Sequence, residues 1–246
     1  MTDPRSDGAP PDPRARLLHD REAFRRWNEE MAHRYDPDAY HHHPNRLVRA
    51  VERMRVRRLL ALLDAAPGHR VLEVGCGAGN ILAELPDTAR SGLDLSPWLL
   101  EKARARLGPA VDLREGWAED LPYADASFDR VYSSEVLEHV ADPAAVLREM
   151  RRVVTPDGRV VVSFPNEALI DRVKDVLVAT RLWRFFSDAR GEGYAAAERM
   201  QDEWHLHALS VAAVREMARG LLRVETVAGV PTSVLALRHV VALRPA

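Results

Sequence analysis

"VLEVGCGAGN", which runs from Val71 to Asn80, carries the clearest local pattern in the chain. Its first four residues are typical of a short buried strand, and three glycines then follow at alternate positions: Gly75, Gly77 and Gly79. Glycine lets a backbone turn sharply and approach a ligand without a Cβ clash. The next helix would point its positive N-terminus at the same place, which suits an anionic group. The stretch therefore predicts a strand, a ligand-binding loop and a helix that starts at "NILAEL".

Strands and helices continue to alternate after the glycine loop. The apolar stretches "RSGLDLS", "AVDLREG", "SFDRVYSS" and "RVVVSFP" are predicted strands, and helices are predicted over Pro97–Leu107 and about Asp142–Val154. Strands that alternate with helices form crossover units and a parallel sheet. Near the C-terminus a helix is predicted over Ser210–Arg219. Two further strands joined near Pro231 then predict an antiparallel hairpin at one edge. The fold class is therefore α/β, with a doubly wound, mostly parallel sheet.

Composition divides the chain into three parts. Residues 1–15 are rich in Pro, Asp, Gly and Arg and predict a disordered tail. Residues 16–66 predict an N-terminal helical cap, and residues 67–246 the main domain. Within that domain, the apolar stretch 166–209 predicts an inserted helical lid or a partner surface, which also permits a homodimer.

The cap contains the amphipathic stretch "RLVRAVERMRVRRLLALLDAAPG". Its helical spacing predicts an inner stripe of six apolar residues: Leu47, Val48, Val51, Met54, Leu59 and Leu62. Four arginines recur at helical spacing on another face: Arg46, Arg49, Arg53 and Arg57. They are interpreted either as a solvated basic face or as a phosphate-binding surface.

Charge and cysteine content exclude several classes of protein. The chain has 246 residues, is 46% hydrophobic and carries a net charge of -2, which argues against nucleic acid or an anionic membrane as partner. No apolar run is long enough to span a bilayer. Cys76 is the single cysteine, so a disulfide within the chain is excluded and a reducing cytoplasm is expected. Cys76 itself is interpreted as a small filler in the loop.

Asp94 follows the second predicted strand, 19 residues after Gly75. A carboxylate at this position can bind the two hydroxyls of a ribose, or it can cap the helix that starts at Pro97. A dinucleotide-binding loop would have G-x-G-x-x-G, whereas position 80 here is Asn. An NAD-dependent oxidoreductase is therefore the weaker interpretation.

Glu135, Glu138 and His139 follow the fourth predicted strand in "VYSSEVLEHV". At positions i, i+3 and i+4 they can share one face of a helical turn. Ligands bind at the carboxyl ends of parallel strands, so these side chains are on the edge where an acceptor would bind. A solvated carboxylate in a first turn, or a packed histidine, would explain the same pattern without a site.

Five motifs in order, "VLEVGCGAG", "GLDLS", "WAEDLPY", "SFDRV" and "VLEHV", resemble the class I S-adenosylmethionine-dependent methyltransferases. The resemblance is strong over residues 45–165. It implies a seven-stranded sheet with an antiparallel last strand, and an enzyme that uses S-adenosyl-L-methionine. The family often has Asp where Trp117 stands, so Glu119 or Asp120 becomes the acid near the adenine. The cofactor-binding residues implied by the resemblance are Glu73, Gly75, Gly77, Gly79, Asp94, Leu95, Ala118, Glu119 and Ser134.

The additional Glu135 makes "EVLEH", which is similar to the metal-ligand motif of ubiquinone-pathway O-methyltransferases and small-RNA 2′-O-methyltransferases. Those enzymes hold a divalent metal with Glu-x-x-Glu-His and a later histidine, and "DEWHLHALS" supplies His205 and His207. The ligands implied are Glu135, Glu138, His139 and His205, for Mg²⁺, Mn²⁺, Fe²⁺ or Zn²⁺. His207 would support a ligand or contact substrate. The alternatives are a metal-free general base, His139 or His205, and a purely structural role.

The resemblance thus implies O-methylation of a small-molecule secondary metabolite, with a polar or glycosidic acceptor expected first and a quinone or catechol second. The catalytic candidates are His139, His205, His207 and Glu135. A metal-free N- or C-methyltransferase, an oxidoreductase and a non-catalytic partner subunit are the alternatives.

"AYHHHPNR" is interpreted as a mobile polar loop. Aromatic and histidine side chains expected near the acceptor are Tyr35, Tyr40, His43, Trp183, Phe185 and Phe186.

Overall fold

The computed structural model describes residues 17–41, 45–85, 87–180 and 204–246. The predicted tail and much of the predicted lid lie outside these ranges. The same holds for the individual candidates His43, Trp183, Phe185 and Phe186, and for the side chain of Tyr40.

Seven strands form a single sheet in the order β3-β2-β1-β4-β5-β7-β6. Strands β1 to β5 pair in parallel, and β7 runs antiparallel to both β5 and β6. The predicted doubly wound, mostly parallel sheet and its C-terminal hairpin are confirmed. The bounds are β1 (Arg70–Val74), β2 (Ala89–Asp94), β3 (Asp112–Glu115), β4 (Phe128–Ser134), β5 (Val154–Pro165), β6 (Leu222–Pro231) and β7 (Ala236–Pro245).

Helices precede the sheet and cover it. Side-chain caps fix several of their starts: Ser96, Asp142 and Ser210 each accept a backbone N–H from the first turn. No helix in the described ranges is both long and apolar enough to cross a membrane. The bounds are α1 (Arg21–Tyr35), α2 (Pro37–His41), α3 (Arg46–Leu63), α4 (Pro97–Leu107), α5 (Pro143–Val153), α6 (Glu167–Ala179) and α7 (Val211–Met217).

The prediction of a helix after the glycine loop is wrong, because the helical segment there is much shorter than expected. Only a 3₁₀ turn forms there, over Leu82–Glu84. Leu85 is already extended, with φ −72° and ψ 145°. Because Pro86 follows, the α conformation of Leu85 is disfavoured and the helix stops.

The inner face predicted for α3 is also partly wrong. Leu47 and Met54 lie outside, with 56% and 38% of their surface exposed, while Leu59 is buried as expected. The buried face instead includes the charged residues Glu52 and Arg55. The positions of the apolar residues could not predict which face of α3 is buried, because the helix buries an ion pair and leaves two apolar side chains exposed.

The core lies on both faces of the central strands. In β1, Val71, Leu72 and Val74 are all buried, as expected for a strand covered on both sides. One face packs against α5 and α7, and the other against α3 and the glycine loop. Strands β1, β2 and β4 are adjacent, so their carboxyl ends bring the predicted motifs to one edge.

Candidate active site

The glycine loop turns directly after β1 and is held against the end of β2. The N–H groups of Gly75 and Cys76 donate to the Leu93 carbonyl at 2.7 and 2.9 Å. Gly75 has φ +75°, and a Cβ there would lie 2.4 Å from the Val136 side chain. Gly77 has φ +50° and faces open space, so a Cβ would project where a ligand can approach. Gly79 packs instead against Leu107 of α4.

Asp94 connects this loop to the next helix. Its Oδ2 accepts the N–H of Gly77 at 2.7 Å, and its Oδ1 accepts the N–H of Ser96 at 2.9 Å. Burial raises the pKa of Asp94, and these two backbone donors oppose the rise. Each carboxylate oxygen still has a second lone pair for a ligand hydroxyl.

The predicted adenine side lies next to Asp94. Leu95, Trp117, Ala118 and Glu119 all line the same cavity. Glu119 Oε1 also accepts the Ala141 N–H at 2.9 Å, so this carboxylate orders the chain before α5. Asp120, the alternative acid, lies at the surface, with a side chain 72% exposed and 3.9 Å from Arg21.

Glu73 lies beneath the glycine loop, inside β1. The residue is 2% exposed, and its Oε2 has no hydrogen-bond partner among the described residues. Burial raises the pKa of Glu73 to about 8, with the Tyr132 hydroxyl opposing the rise. The side chain is therefore mainly a neutral acid at pH 7 when no ligand is bound.

Ser134 and Glu135 lie where β4 ends. Ser134 accepts a hydrogen bond from Arg55. Glu135 has φ +55°, a strained value for a residue with a side chain, and so turns the chain sharply at this edge. Its Oε2 pairs with Arg238 at 2.7 Å, and its Oε1 accepts the Ser163 hydroxyl at 3.0 Å. The carboxylate predicted to bind a metal is thus engaged by β5 and β7.

Glu138, His139 and His205 form the group with metal-ligand geometry. One potential ligand atom from each lies within 4.8 Å of the others. Glu138 is 1% exposed, and neither carboxylate oxygen has a hydrogen-bond partner among the described residues. Burial, together with the charge of Glu135, raises the pKa of Glu138 well above its usual range. Among the residues searched, Glu135 is not brought into this group.

Each histidine has an oxygen atom close to its Nδ1. His139 Nδ1 lies 3.1 Å from the Trp204 carbonyl, and His205 Nδ1 lies 2.9 Å from Glu167 Oε1. A carbonyl only accepts, so the contact at His139 requires a proton on Nδ1, and a neutral His139 ring then has its lone pair on Nε2. The contact at His205 has an ion-pair distance but no hydrogen-bond geometry, so it does not fix the tautomer of that ring.

His207 is placed differently from His205. Its Nε2 lies 2.9 Å from the Val140 carbonyl. Its backbone N–H and that of Leu206 both donate to the Glu138 carbonyl, at 3.2 and 2.7 Å. His207 therefore attaches the 204–207 segment to the turn that carries Glu138 and His139.

Sequence reasoning missed a buried ion pair behind this edge. Arg55 is 3% exposed and donates from Nε to Glu52 at 2.9 Å and from Nη1 to Ser163 at 3.1 Å. Burial raises the pKa of Glu52, but Arg55 outweighs burial and the pKa is lowered. His41 Nδ1 lies 3.4 Å from Glu52. Arginine and glutamate within an arginine-rich helix gave no signal that they would be buried.

One cavity joins the two groups of residues. Its volume is about 320 Å³, and it extends from the glycine loop and Asp94 to His139 and His205. Tyr35 and Trp204 form an aromatic wall, with ring centroids 6.2 Å apart. Glu52, Arg55 and His41 also line it. A cofactor bound at the loop would thus share a space with whatever binds beside the histidines.

The fold and this site define a class of protein. A nucleotide-type loop, an acid after β2 and a polar group after β4 in this sheet order are the features of the class I S-adenosylmethionine-dependent methyltransferases. A structure titled as such an enzyme from Mesorhizobium loti superposes with a TM-score of 0.59 and 21% identity, over 78% of this chain and 97% of that chain. At this identity the likeness shows the fold alone.

The family model described as a methyltransferase domain matches residues 72–162. These residues therefore form a methyltransferase domain, as the sequence predicted. Methyltransferase GfsG of Streptomyces halstedii is 40% identical over 125 residues, covering 48% of this chain and 45% of that protein. O-methyltransferase resE of Aspergillus sclerotiorum is 35% identical over 122 residues, or 46% of each protein. The chain spans about half the length of the curated relatives it matches.

Proposed function

We propose that this chain transfers the methyl group of S-adenosyl-L-methionine to a hydroxyl oxygen of a small-molecule secondary metabolite. The observation that carries the proposal is the single cavity between the glycine loop and the His139–His205 pair. A methyl donor held by Gly77 and Asp94 and an acceptor held beside the histidines would meet inside it. Such positioning converts a bimolecular reaction into one between two bound groups.

Oxygen is the proposed acceptor atom for two reasons. One similar protein is named an O-methyltransferase, and another is a ubiquinone biosynthesis O-methyltransferase of Xanthomonas axonopodis pv. citri, 39% identical over 132 residues. Near the histidines, the cavity also carries the charged side chains of Glu52 and Arg55, next to an otherwise largely apolar lining that includes Tyr35 and Trp204. A polar, hydroxyl-bearing metabolite suits this lining better than a polymer does.

The histidines supply the proposed acid–base chemistry. In the tautomer set by the Trp204 carbonyl, Nε2 of His139 can accept a proton or bind a cation, and the His205 ring lies 4.9 Å from the His139 ring. We propose that Arg55 and Glu135 keep the edge of the sheet fixed. The first holds the ends of β4 and β5, and the second pairs with Arg238 of β7.

The donor set also fits a divalent cation, which Glu138, His139 and His205 would hold. The unpartnered carboxylate of Glu138 supports this, since a buried polar group normally has a partner. A carboxylate and two imidazoles leave coordination positions for an acceptor, as in catalytic zinc sites. A bound cation would lower the pKa of an acceptor hydroxyl. We propose these three ligands rather than four, because Glu135 is engaged by Arg238 and Ser163.

A metal-free enzyme is the second candidate. His205 Nδ1 lies 2.9 Å from Glu167 Oε1, so a carboxylate stands beside the histidine that would act as general base. In that case the acceptor atom would be nitrogen or carbon.

We also propose a cytoplasmic location for this chain. We propose that it is divided into a tail over residues 1–15, an N-terminal helical cap over 16–66 and a main domain over 67–246 with a lid insertion over 166–209. The apolar insertion would permit a homodimer.

Labelled methyl transfer tests the reaction. The chain is incubated with methyl-labelled S-adenosylmethionine and metabolite fractions of the producing cell, with and without a chelator. We expect label in a small-molecule fraction, and its loss with chelator. No transfer into any fraction would contradict the proposed reaction, while an unchanged rate in chelator would contradict only the cation.

Glu138→Gln and Glu135→Gln form a matched pair for the cation. Calorimetric titration with Zn²⁺ or Mn²⁺ should show binding to the wild type with proton release, because Glu138 must ionise. Glu138→Gln should lose most of this binding, whereas Glu135→Gln should retain it within about threefold. Equal losses in the two variants would favour the four-ligand site instead.

A further inference from the structure

Helix α3 carries an unusual concentration of positive charge. Its 18 residues contain six arginines and one glutamate, a net charge of +5. The whole chain has a net charge of -2, so the rest of the chain carries −7. Arg55 and Glu52 pair inside the protein, which leaves five arginines and no acid on the remaining faces of the helix.

The outward face of α3 combines these charges with apolar side chains. Positions 46, 53 and 57 follow one another along the helix at steps of seven and four, beside a row formed by positions 47, 54 and 58. Leu47 and Met54 are 56% and 38% exposed. We define the arginine stripe as Arg46, Leu47, Ala50, Arg53, Met54, Arg57 and Arg58, all of which are exposed.

This arrangement opposes the stability of the isolated helix. Arg53 and Arg57 are like charges at i, i+4, and Arg46 adds a cation to a first turn that has no acid. Among the described residues, no acid lies within ion-pair distance of Arg46, Arg53, Arg57 or Arg58. Helix α1 shows the usual solvated pattern, in which Arg26 pairs with Glu22 one turn away. The stripe therefore has a cost that an anionic partner would remove.

The helix that carries the stripe borders the cavity with its inward face. Arg55 reaches Ser163 near the end of β5, whereas Leu62 accepts from Arg159, four residues earlier on that strand. Helix α3 therefore runs antiparallel to β5, with its start at the carboxyl edge of the sheet. Glu52 and Arg55 line the cavity, whereas the stripe lies on the exposed faces of the same helix.

We propose that the arginine stripe docks an acidic face of a partner protein, namely a helix with acids along an apolar ridge. Twelve residues separate Arg46 from Arg58, which makes a footprint of about 18 Å, suited to one helix.

Other occupants fit the stripe less well. A symmetric pair of these chains would place one arginine stripe against the other, and the like charges would repel each other. The net charge of −2 for the whole chain argues against a nucleic acid or an anionic membrane as the partner. Exposed arginine and methionine suit a protein interface. The proposal does not depend on methyl transfer.

Two synthetic helical peptides of one composition test the proposal. Each has about 20 residues, roughly 30 Å as a helix; in one the glutamates flank a leucine ridge, and in the other they are scattered around the helix. Fluorescence anisotropy should show that the intact chain binds the ridged peptide about tenfold more tightly than the scattered one, and more weakly as salt rises.

Arg46→Glu with Arg53→Glu is the diagnostic variant. We expect about a tenfold loss of peptide affinity, with a melting temperature at or above that of the wild type. A carboxylate at position 46 suits the N-terminus of the helix dipole, and one at position 53 is an i, i+4 partner of Arg49 and Arg57. Arg104→Glu with Arg215→Glu makes the same charge change on α4 and α7 and should bind within about twofold of the wild type. Equal loss in both variants, no preference between the peptides, or tighter binding to phosphatidylglycerol vesicles or duplex DNA would overturn the proposal.

Discussion

Glu73 is a buried acid beneath the glycine loop, and its shifted pKa makes the stability of the fold depend on pH. Its carboxyl group is enclosed in β1, and its Oε2 has no partner among the described residues. In the unfolded chain this group ionises near its ordinary pKa of 4.5, whereas in the fold its pKa is about 8. Between these values the unfolded state binds fewer protons, so stability falls as pH rises through the window.

Glu73→Gln should remove this pH dependence, because the amide stays neutral. We expect little difference from the wild type near pH 4.5 and an advantage that grows to on the order of 3 kcal/mol near pH 8. Urea unfolding at a series of pH values measures it, and exposed Glu101→Gln is the control. A constant difference between wild type and Glu73→Gln at every pH would contradict the assignment.

Asp94 is a residue at which local structure and ligand binding coincide. It accepts two backbone N–H groups, one from the glycine loop and one from the start of α4. An amide cannot present two acceptor oxygens to these donors, so its geometry would leave one of them unpaired.

Asp94→Asn should therefore bind S-adenosylhomocysteine at least about tenfold more weakly than the wild type, since it disturbs the loop and removes a ribose acceptor. Calorimetric titration at pH 7 measures the dissociation constants. Asp112→Asn, at the surface of β3, should bind like the wild type. An unchanged constant in Asp94→Asn would show that the ligand does not use this edge.

At the scale of elements, the decisive feature is that α3 turns a charged face inward. The Glu52–Arg55 pair is buried and holds the ends of β4 and β5 through Ser134 and Ser163. Breaking a buried pair leaves a desolvated charge, while replacing both partners with apolar groups avoids it.

Arg55→Met should accordingly lower the free energy of unfolding by about 3 kcal/mol or more. Glu52→Leu together with Arg55→Met should recover most of this loss. Denaturant unfolding of the wild type, both single variants and the double variant gives the coupling. If the double variant loses as much free energy of unfolding, relative to the wild type, as the two single variants lose together, the pair is not coupled.

Some features of the site could be predicted from the sequence, and others could not. The glycine loop, Asp94 and "EVLEH" could be placed at one edge because alternation and strand order follow local patterns. The engagement of Glu135 by Arg238, 103 positions later along the chain, could not, since it depends on how the C-terminal hairpin joins the sheet. The role of Glu167 beside His205 is likewise a tertiary contact. The turn at "EVLEH" is not helical, because Glu135 adopts a positive φ.

At the scale of the whole molecule, the N-terminal helices close the cofactor side of the cavity. Asp36 pairs with Lys102 at 2.9 Å, and Asp38 pairs with Arg106 at 2.8 Å and accepts from Asn80 at 2.9 Å. These contacts join α2 and the residue before it to α4 and the glycine loop. Phe24 and Tyr35 from α1 also line the cavity. Among the described residues, a cavity therefore extends from the glycine loop at one end to the histidines at the other.

Titration of the intact chain with S-adenosylhomocysteine and, in parallel, with NADH distinguishes a methyltransferase from an oxidoreductase. We expect one molecule of S-adenosylhomocysteine bound per chain at micromolar concentrations, and no heat or thermal shift with NADH. Binding of NADH without S-adenosylhomocysteine would contradict the proposed methyltransferase and favour an oxidoreductase. Binding of neither ligand would contradict the assignment of the cavity and favour a partner subunit without catalytic activity.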